Sequence, residues 1–206
     1  GDRFGAAVAL DGDYLAVGSS RAGIWETQID GEGNPVEVEV VSSAGEVTIW
    51  IWDSIQEKYC LIQRIQPEDL RESDWFGTSV DLHEGVLAIG CPRRDSAEGA
   101  NDNVGAVYLY TLDGGAFVPI EVFPGISDQG KLGSSIAVSK SSLSDEWYVI
   151  SGAPQAEEDR GLVQGWMGLT DTVWMEIDPI YEGPANSEGR FGESVALHDR
   201  LAVIGA

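Results

Sequence analysis

Residues 74–90 read DWFGTSVDLHEGVLAIG, and this stretch decides the fold class. Val80 and Leu82 alternate with polar residues, which is the period-two pattern of a strand with one buried face. Residues 86–89 (VLAI) are apolar throughout and predict a second strand that is buried on both faces. The polar residues 83–85 between them fit a short turn that joins antiparallel neighbours. The stretch therefore predicts an antiparallel pair of strands.

The same pattern occurs in four places along the chain. Residues 2–18 (DRFGAAVALDGDYLAVG) and 189–206 (GRFGESVALHDRLAVIGA) follow it closely. Residues 130–154 follow it with Leu132 in place of Phe and with a longer middle turn. The copies begin about sixty residues apart, which is the spacing of a repeat architecture.

The second half of each unit also recurs. Residues 45–50 (GEVTIW) match residues 105–110 (GAVYLY), and residues 161–166 (GLVQGW) are a looser copy. Each copy precedes another apolar stretch that ends near a proline, at residues 59–67, 117–124 and 173–179. No amphipathic helical pattern persists. Each complete unit therefore reads as four short strands.

Four antiparallel strands at this period are typical of a β-propeller blade. One blade cannot bury both of its faces alone, so neighbouring blades are required. The predicted fold class is all-β, with about three and a half blades in one partial propeller that spans residues 1–206. The expected units are residues 1–67, 74–124, 130–179 and 189–206.

Phe-Gly followed by Val-Ala-Leu and by a strand that ends in Gly-Ala-Pro resembles the FG-GAP repeat. This repeat builds the N-terminal β-propeller of integrin alpha subunits and of many secreted or surface proteins. Cys91 replaces the Ala of this ending in the second copy, and residues 18–20 (GSS) lack the Ala-Pro ending. The resemblance implies an extracellular or cell-surface location. It also implies seven blades, so we expect the remaining blades in further sequence or in another chain, and we expect both ends to be cuts through a longer protein.

The composition excludes some classes of partner. The chain has 35 acidic and 12 basic residues, a formal charge of −23, which argues against nucleic acid as a partner, because phosphate binding needs clustered Lys and Arg. No apolar run is long enough to predict a transmembrane segment in this stretch. Cys60 and Cys91 each lie in an apolar run, which leaves two buried thiols and a disulfide bridge as alternatives.

Calcium is the metal that the resemblance brings into question, because related propellers bind it between the first and second strands of a blade. The corresponding turns here are too short to carry that site over. The oxygen-rich loop of residues 92–105 contains the weak metal candidates, and a plain polar loop is the alternative. These candidates are Asp95, Glu98, Asn101, Asp102 and Asn103. Ca²⁺ is thus possible, and no cofactor is expected.

The longest connection between a second and a third strand runs from Gly18 to Gly45, and long loops on a rigid scaffold commonly carry recognition. Residues 36–40 alternate and predict either a small added hairpin or an edge strand. Trp25, Asp30 and Glu32 are the binding candidates. Trp25 would either anchor a partner or fold over its own loop.

These patterns favour a non-enzymatic propeller that acts in protein–protein recognition, adhesion or assembly, with a protein partner or further subunits. The sequence contains neither a Gly-x-Ser-x-Gly motif nor a phosphate-binding loop. Two alternatives remain open. One is a calcium-dependent adhesin, and the other is a propeller enzyme with a site in the central channel.

Overall fold

A computed structural model describes residues 1–97, 102–170, 173–177, 181–184 and 189–206. Strands dominate these residues, and the predicted all-β class with four-stranded antiparallel blades is confirmed. The one helical element that they contain is α1 (Ala156–Asp159), a single turn in which Glu157 and Glu158 have positive φ. No helix in the described part of the chain is long and apolar enough to cross a membrane.

The strands follow the chain in an order set by the repeat. Their bounds are β1 (Phe4–Asp11), β2 (Tyr14–Ser19), β3 (Ile24–Ile29), β4 (Pro35–Val41), β5 (Glu46–Asp53), β6 (Lys58–Ile65), β7 (Ser79–His83), β8 (Val86–Cys91), β9 (Ala106–Asp113), β10 (Ala116–Pro124), β11 (Ser135–Lys140), β12 (Trp147–Ala153), β13 (Leu162–Thr170), β14 (Val173–Glu176), β15 (Tyr181–Glu182), β16 (Ser194–His198) and β17 (Leu201–Gly205).

These strands form four successive sheets and one separate hairpin. The sheet orders are β1-β2-β5-β6, β7-β8-β9-β10 and β11-β12-β13-β14, followed by the pair β16-β17. The first strands of consecutive sheets contact each other, β1 with β7, β7 with β11 and β11 with β16. The sheets are therefore stacked as blades whose first strands lie innermost, as a propeller requires.

Two details differ from a uniform four-stranded unit. β3 and β4 form a hairpin inserted between β2 and β5, so residues 36–40 belong to the small hairpin and do not extend a blade edge. The fourth strand of the third sheet is in two pieces. β14 pairs with Trp166–Thr170 of β13, and β15 pairs with Leu162 and Val163. Pro179, the expected end of that strand, lies outside the described residues.

The second strand β8 shows how one blade is buried between two others. Leu87 and Ile89 lie in the core cluster shared with the first sheet, which includes Phe76. Val86 and Ala88 lie in the cluster shared with the third sheet. The prediction that this strand is buried on both faces is confirmed, and each such aliphatic side chain contributes roughly 1.5–3 kcal/mol.

In three of the four copies the Phe-Gly or Leu-Gly pair forms a tight turn ahead of the first strand, and in the first copy Phe4 and Gly5 are the first residues of β1. Gly5, Gly77, Gly133 and Gly192 all have positive φ, between 80° and 92°. In three of the turns a backbone N–H bonds back to the residue before the pair, as in Ser134 N–H to Lys131 C=O at 3.2 Å. A positive φ at the third position of a turn is typical of type II, which favours glycine.

The turn of one blade presses on the Gly that ends the second strand of the preceding blade. A Cβ added to Gly90 would overlap the backbone carbonyl oxygen of Gly133, and Gly18 and Gly152 meet Gly77 and Gly192 in the same way. Next to the contact of Gly77 with Gly18, the Phe76 N–H donates to the Ala44 carbonyl at 2.9 Å. The two glycines of the motif therefore allow adjacent blades to approach at backbone distance.

Both cysteines are free thiols, so the disulfide alternative is not adopted. Cys91 is fully buried, and its Sγ lies 3.3 Å from the Asp74 carbonyl oxygen. Cys60 is only half-buried, on β6.

We expect Gly90→Ala to lower the free energy of unfolding by about 3 kcal/mol, because the added methyl group collides with backbone that cannot move without separating two blades. Urea denaturation followed by circular dichroism measures this change. Gly31→Ala is the matched control, since Gly31 also has an ordinary φ and a Cβ there would meet nothing within 4 Å. Equal stabilities of the two variants would contradict the role assigned to the glycine contact.

Candidate recognition face

The connections from second to third strands and from fourth strands to the next blade lie at one end of the sheets, because neighbouring strands are antiparallel. We call this end the recognition face. It carries the hairpin β3–β4, the loop of residues 92–105 and the Phe-Gly turns. These features contain the candidate residues singled out in the sequence.

The hairpin β3–β4 is anchored at its base and exposed along its length. Ile24 and Val41, which are paired at its base, pack against the first core cluster. The Ser42 hydroxyl donates to the Glu72 carboxylate at 2.7 Å, which fixes the outgoing chain. Trp25 and Ile29 are 57% and 68% exposed. Trp25 is therefore more than half exposed on the hairpin.

Asp30 organises the tip of this hairpin. Its carboxylate accepts the backbone N–H groups of Glu32 and Asn34 at 2.9 and 2.8 Å. The bonds from Asn34 and Glu32 lower the pKa of Asp30 below its ordinary value. Glu32 takes part in this turn only through its backbone N–H, and Glu32 itself is exposed. Asp30 thus has a structural role at the tip, and its oxygens are already engaged.

Carboxylates join the two described ends of the loop of residues 92–105. Asp102 accepts the Ser96 N–H at 2.8 Å and also the Ser96 hydroxyl, and these bonds lower its pKa. Asp95 accepts the Asn103 N–H at 3.0 Å. Glu98 and Asn101 lie outside the described residues. The structure thus brings Asp95, Asp102 and Asn103 together around the loop backbone.

Within the described ranges, no group of three or more His, Cys, Asp or Glu side chains is arranged to hold a metal ion. The candidate carboxylates of the loop point at N–H donors, and a calcium ion would compete with those donors for the same oxygens.

A cavity of about 300 Å³ lies beside this loop, between the second blade and the segment of residues 69–74 that leads into it. Arg94 crosses it, with an ion pair to Asp69 at 2.6 Å and a hydrogen bond to the hydroxyl of Tyr108. The Arg94 guanidinium also lies over the Tyr108 ring, 5.1 Å from its centroid. Burial raises the pKa of Tyr108 well above its ordinary value, so this hydroxyl remains protonated.

Asp74 is buried at the wall of the same cavity. Its carboxylate accepts the Arg71 N–H at 2.8 Å. Burial is the main cause that raises the pKa of Asp74, and the Arg71 hydrogen bond and Arg94 oppose the shift. Burial also raises the pKa of the neighbouring Cys91 thiol, which keeps it neutral and a poor nucleophile.

Sequence reasoning did not find the group formed by Arg94, Asp69 and Tyr108. Arg94 and Tyr108 belong to different segments of the second blade and Asp69 to the segment that leads into that blade, so only the fold brings the three together. Two adjacent arginines after a second strand, at residues 93 and 94 of a strongly acidic chain, were the available signal.

We expect the free energy of unfolding of Asp74→Asn to exceed that of wild type by an amount that grows as the pH rises. With a folded-state pKa above the unfolded value near 3.8, folded wild type binds more protons than unfolded chain, so its stability falls with pH through that window. Asn keeps an acceptor for the Arg71 N–H and has no such dependence. Urea unfolding between about pH 4 and about pH 7 measures the difference in free energy of unfolding between the variant and wild type. A difference that becomes smaller as the pH rises would contradict the prediction.

We expect the melting temperature to be the same in calcium and in chelator. The carboxylates of Asp30, Asp95 and Asp102 are already satisfied by N–H and O–H donors, so binding a cation would cost those bonds. A ligand selective for the folded state must raise the melting temperature. Differential scanning calorimetry in millimolar Ca²⁺ and in EDTA makes the comparison, with Mg²⁺ as control. A melting temperature that rises with Ca²⁺ but not with Mg²⁺ would contradict this prediction and support a calcium site at these residues.

A family model described as the FG-GAP repeat matches residues 60–110. This match covers the Phe-Gly turn at Phe76 and Gly77 and the strand that ends at Gly90 and Cys91, which confirms the resemblance drawn from the sequence.

A solved structure with similarity to this chain is the periplasmic gluconolactonase of Pseudomonas aeruginosa, at 13% sequence identity and a TM-score of 0.39. The similarity covers 91% of this chain and 60% of that one, so the chain spans less than two thirds of that neighbour's length. No curated protein sequence matches this chain. Residues 60–110 thus match the FG-GAP repeat, in a chain of four-stranded antiparallel propeller blades.

Proposed function

We propose that this chain is a non-enzymatic β-propeller segment that acts in protein–protein recognition, adhesion or assembly through its recognition face. The proposed location is outside the cell or at its surface, as the FG-GAP repeat implies. The observation that carries the proposal is the hairpin β3–β4, which exposes apolar side chains on both of its faces.

The register of the hairpin divides its side chains between two surfaces. Trp25 and Ile29 lie opposite Glu39 and Pro35, and directly paired residues share a face. The opposite face carries Val36 and Val38, paired with Gln28 and Glu26, and Val40 also remains exposed. Each face thus combines apolar area with carboxylates. A partner surface of matching chemistry would be apolar with basic residues at its edge.

The energetics of a two-stranded hairpin support a contact role. An isolated hairpin is at best marginally stable in water and gains stability when one face is covered. Here the base is tied to the core by Ile24 and Val41, while the length of the hairpin projects uncovered. Exposed apolar patches of this kind commonly mark interaction sites, and tryptophan is enriched among residues that dominate binding energy.

The non-enzymatic part of the proposal is supported by the roles of the polar groups on the same face. Asp30 and Asp102 fix loop backbone, Arg94 is neutralised by Asp69, and the Cys91 thiol is buried and neutral. None of these groups forms the pair of nucleophile and general base that covalent catalysis needs.

We expect a photoreactive residue at position 25 of the full-length natural protein to cross-link one specific partner on the cells that produce it. The same residue at position 55 is the control, because Ile55 is 93% exposed but lies in the turn after a third strand, at the opposite end of the blade. Mass spectrometry identifies the cross-linked protein.

Affinity for that purified partner then decides the proposal. Trp25→Ala should weaken binding by about tenfold or more, because a buried tryptophan anchor commonly contributes that much, and Ile55→Ala should leave it unchanged. Isothermal titration calorimetry measures both. Unchanged affinity in Trp25→Ala, with intact circular dichroism, would reject the hairpin as the contact element.

A further inference from the structure

The residue before each Phe-Gly or Leu-Gly pair occupies the same place at the inner end of its blade. These residues are Arg3, Trp75, Lys131 and Arg190, and all four have positive φ, between 52° and 60°. Three of the four are basic. The chain therefore places cations in register at the start of its innermost strands, although it has 12 basic against 35 acidic residues.

Two further arginines reach the same place from the ends of second strands. The backbone N–H of Arg21 donates to the Asp2 carbonyl at 3.0 Å, and that of Arg93 donates to the Asp74 carbonyl at 3.1 Å. These equivalent bonds hold Arg21 and Arg93 beside the turns that contain Arg3 and Trp75. The first blade thus supplies Arg3 and Arg21 and the second blade supplies Trp75 and Arg93, and we call these four residues the Trp75 cluster.

Three guanidinium groups converge on the single ring of Trp75. Their carbon atoms lie 4.3 Å (Arg93), 5.0 Å (Arg21) and 5.7 Å (Arg3) from its centroid. A cation over an indole ring is stabilised by about 0.5–1 kcal/mol at exposed sites. Three cations sharing one ring also repel each other, and the ring cannot neutralise them.

The cluster lacks negative partners. Across the residues that the structure describes, the ion pairs involve Arg64, Arg94, Lys140, Arg160, Arg190 and Arg200, and none involves Arg3, Arg21, Arg93 or Lys131. The Nε atom of Arg21 is buried and has no hydrogen-bond partner. A buried donor without an acceptor costs stability.

Lys131 shows the same deficit of negative charge from the next blade. Burial is the main cause that lowers its pKa, and the positive charges of Arg93 and Arg190 lower it further. Asp159 acts in the opposite direction without cancelling the shift. Arg190 itself is paired with Glu193 at 3.1 Å, so its charge is partly neutralised. Lys131 therefore lies at the rim of a site that is short of anions.

We propose that this cluster is a binding site for a compact oxyanion of the phosphate or sulfate type. Arg3, Arg21 and Arg93 would hold its oxygens beside Trp75, with Lys131 at the edge. Guanidinium forks donate in pairs to the oxygens of such anions, and an anion at this place would give the Arg21 Nε its acceptor. Because the three forks surround one ring, they suit one compact group better than charges spaced along an extended chain.

An adjoining cavity indicates room for a group attached to the oxyanion. It measures about 410 Å³ and is lined by Arg3, Phe4, Trp75, Thr78 and their neighbours. Its apolar lining includes Phe4 and Trp75. An ester with an apolar body would therefore contact Phe4 and Trp75, whereas a free ion would leave the cavity empty.

The test is isothermal titration calorimetry and thermal melting of the full chain with inorganic phosphate, inorganic sulfate and phenyl phosphate. Sodium chloride at equal ionic strength is the reference. We expect saturable binding of the oxyanions and an increase in melting temperature that chloride does not give. Tighter binding of phenyl phosphate than of inorganic phosphate assigns the cavity to the ester body. Equal binding restricts the site to the free ion, and both results support an oxyanion site.

Variants decide whether the binding is at this cluster. Arg21→Gln and Arg93→Gln should each weaken phosphate binding by about tenfold, because each removes charge-assisted hydrogen bonds. Arg21→Lys keeps the charge but loses the fork, and should lie between Arg21→Gln and wild type. Lys58→Gln removes one exposed charge from β6 and is the control for net charge.

Two results would overturn the proposal. One is the absence of any oxyanion-specific binding or stabilisation in the wild-type chain. The other is wild-type affinity in both Arg21→Gln and Arg21→Lys, each with a native circular dichroism spectrum.

Discussion

The structure depends on one close backbone contact, in which the carbonyl of the Gly in each Phe-Gly turn lies against the α-carbon of the Gly that ends the second strand of the preceding blade. Gly133 over Gly90 is the central example, and Gly77 over Gly18 and Gly192 over Gly152 repeat it. No side chain fits between these atoms. The contact sets the distance between blades, which in turn allows the aliphatic faces of strands such as β8 to be buried on both sides.

The same turns that join the blades also position the chemistry of the recognition face. Each turn leaves the residue before the Phe-Gly pair at the inner end of the blade, so a repeat built for packing also produces a periodic placement of charge. In this chain that placement brings Arg3 and the ring of Trp75 together with Arg21 and Arg93, and Lys131 follows at the next turn. The chain has 35 acidic residues that could pair with these cations, yet the cations lie together. Their mutual repulsion lowers stability, and a bound anion would offset this cost.

The hairpin β3–β4 and the Trp75 cluster serve different kinds of recognition on one face. The hairpin is an insertion between β2 and β5, held at its base, and it presents apolar and acidic side chains to large surfaces. The cluster belongs to the repeat itself, is partly buried and is suited to a small anion. A rigid stack of blades can carry both, since neither requires the sheets to move.

The sequence by itself determined the fold class, the period, the short turns and the strand pairs, because alternation, apolar runs and glycine placement are local signals that repeat in register. It also predicted the double burial of residues 86–89, whereas for residues 36–40 it left an added hairpin and an edge strand as alternatives, and the structure shows the hairpin. It did not predict that Asp30, Asp95 and Asp102 fix their own loops, since hydrogen-bond geometry is not encoded in spacing. Only the tertiary structure decided that Trp75 meets Arg3, Arg21 and Arg93, because these residues come from separate blade segments. Their distance depends on how closely two glycines let the backbones approach.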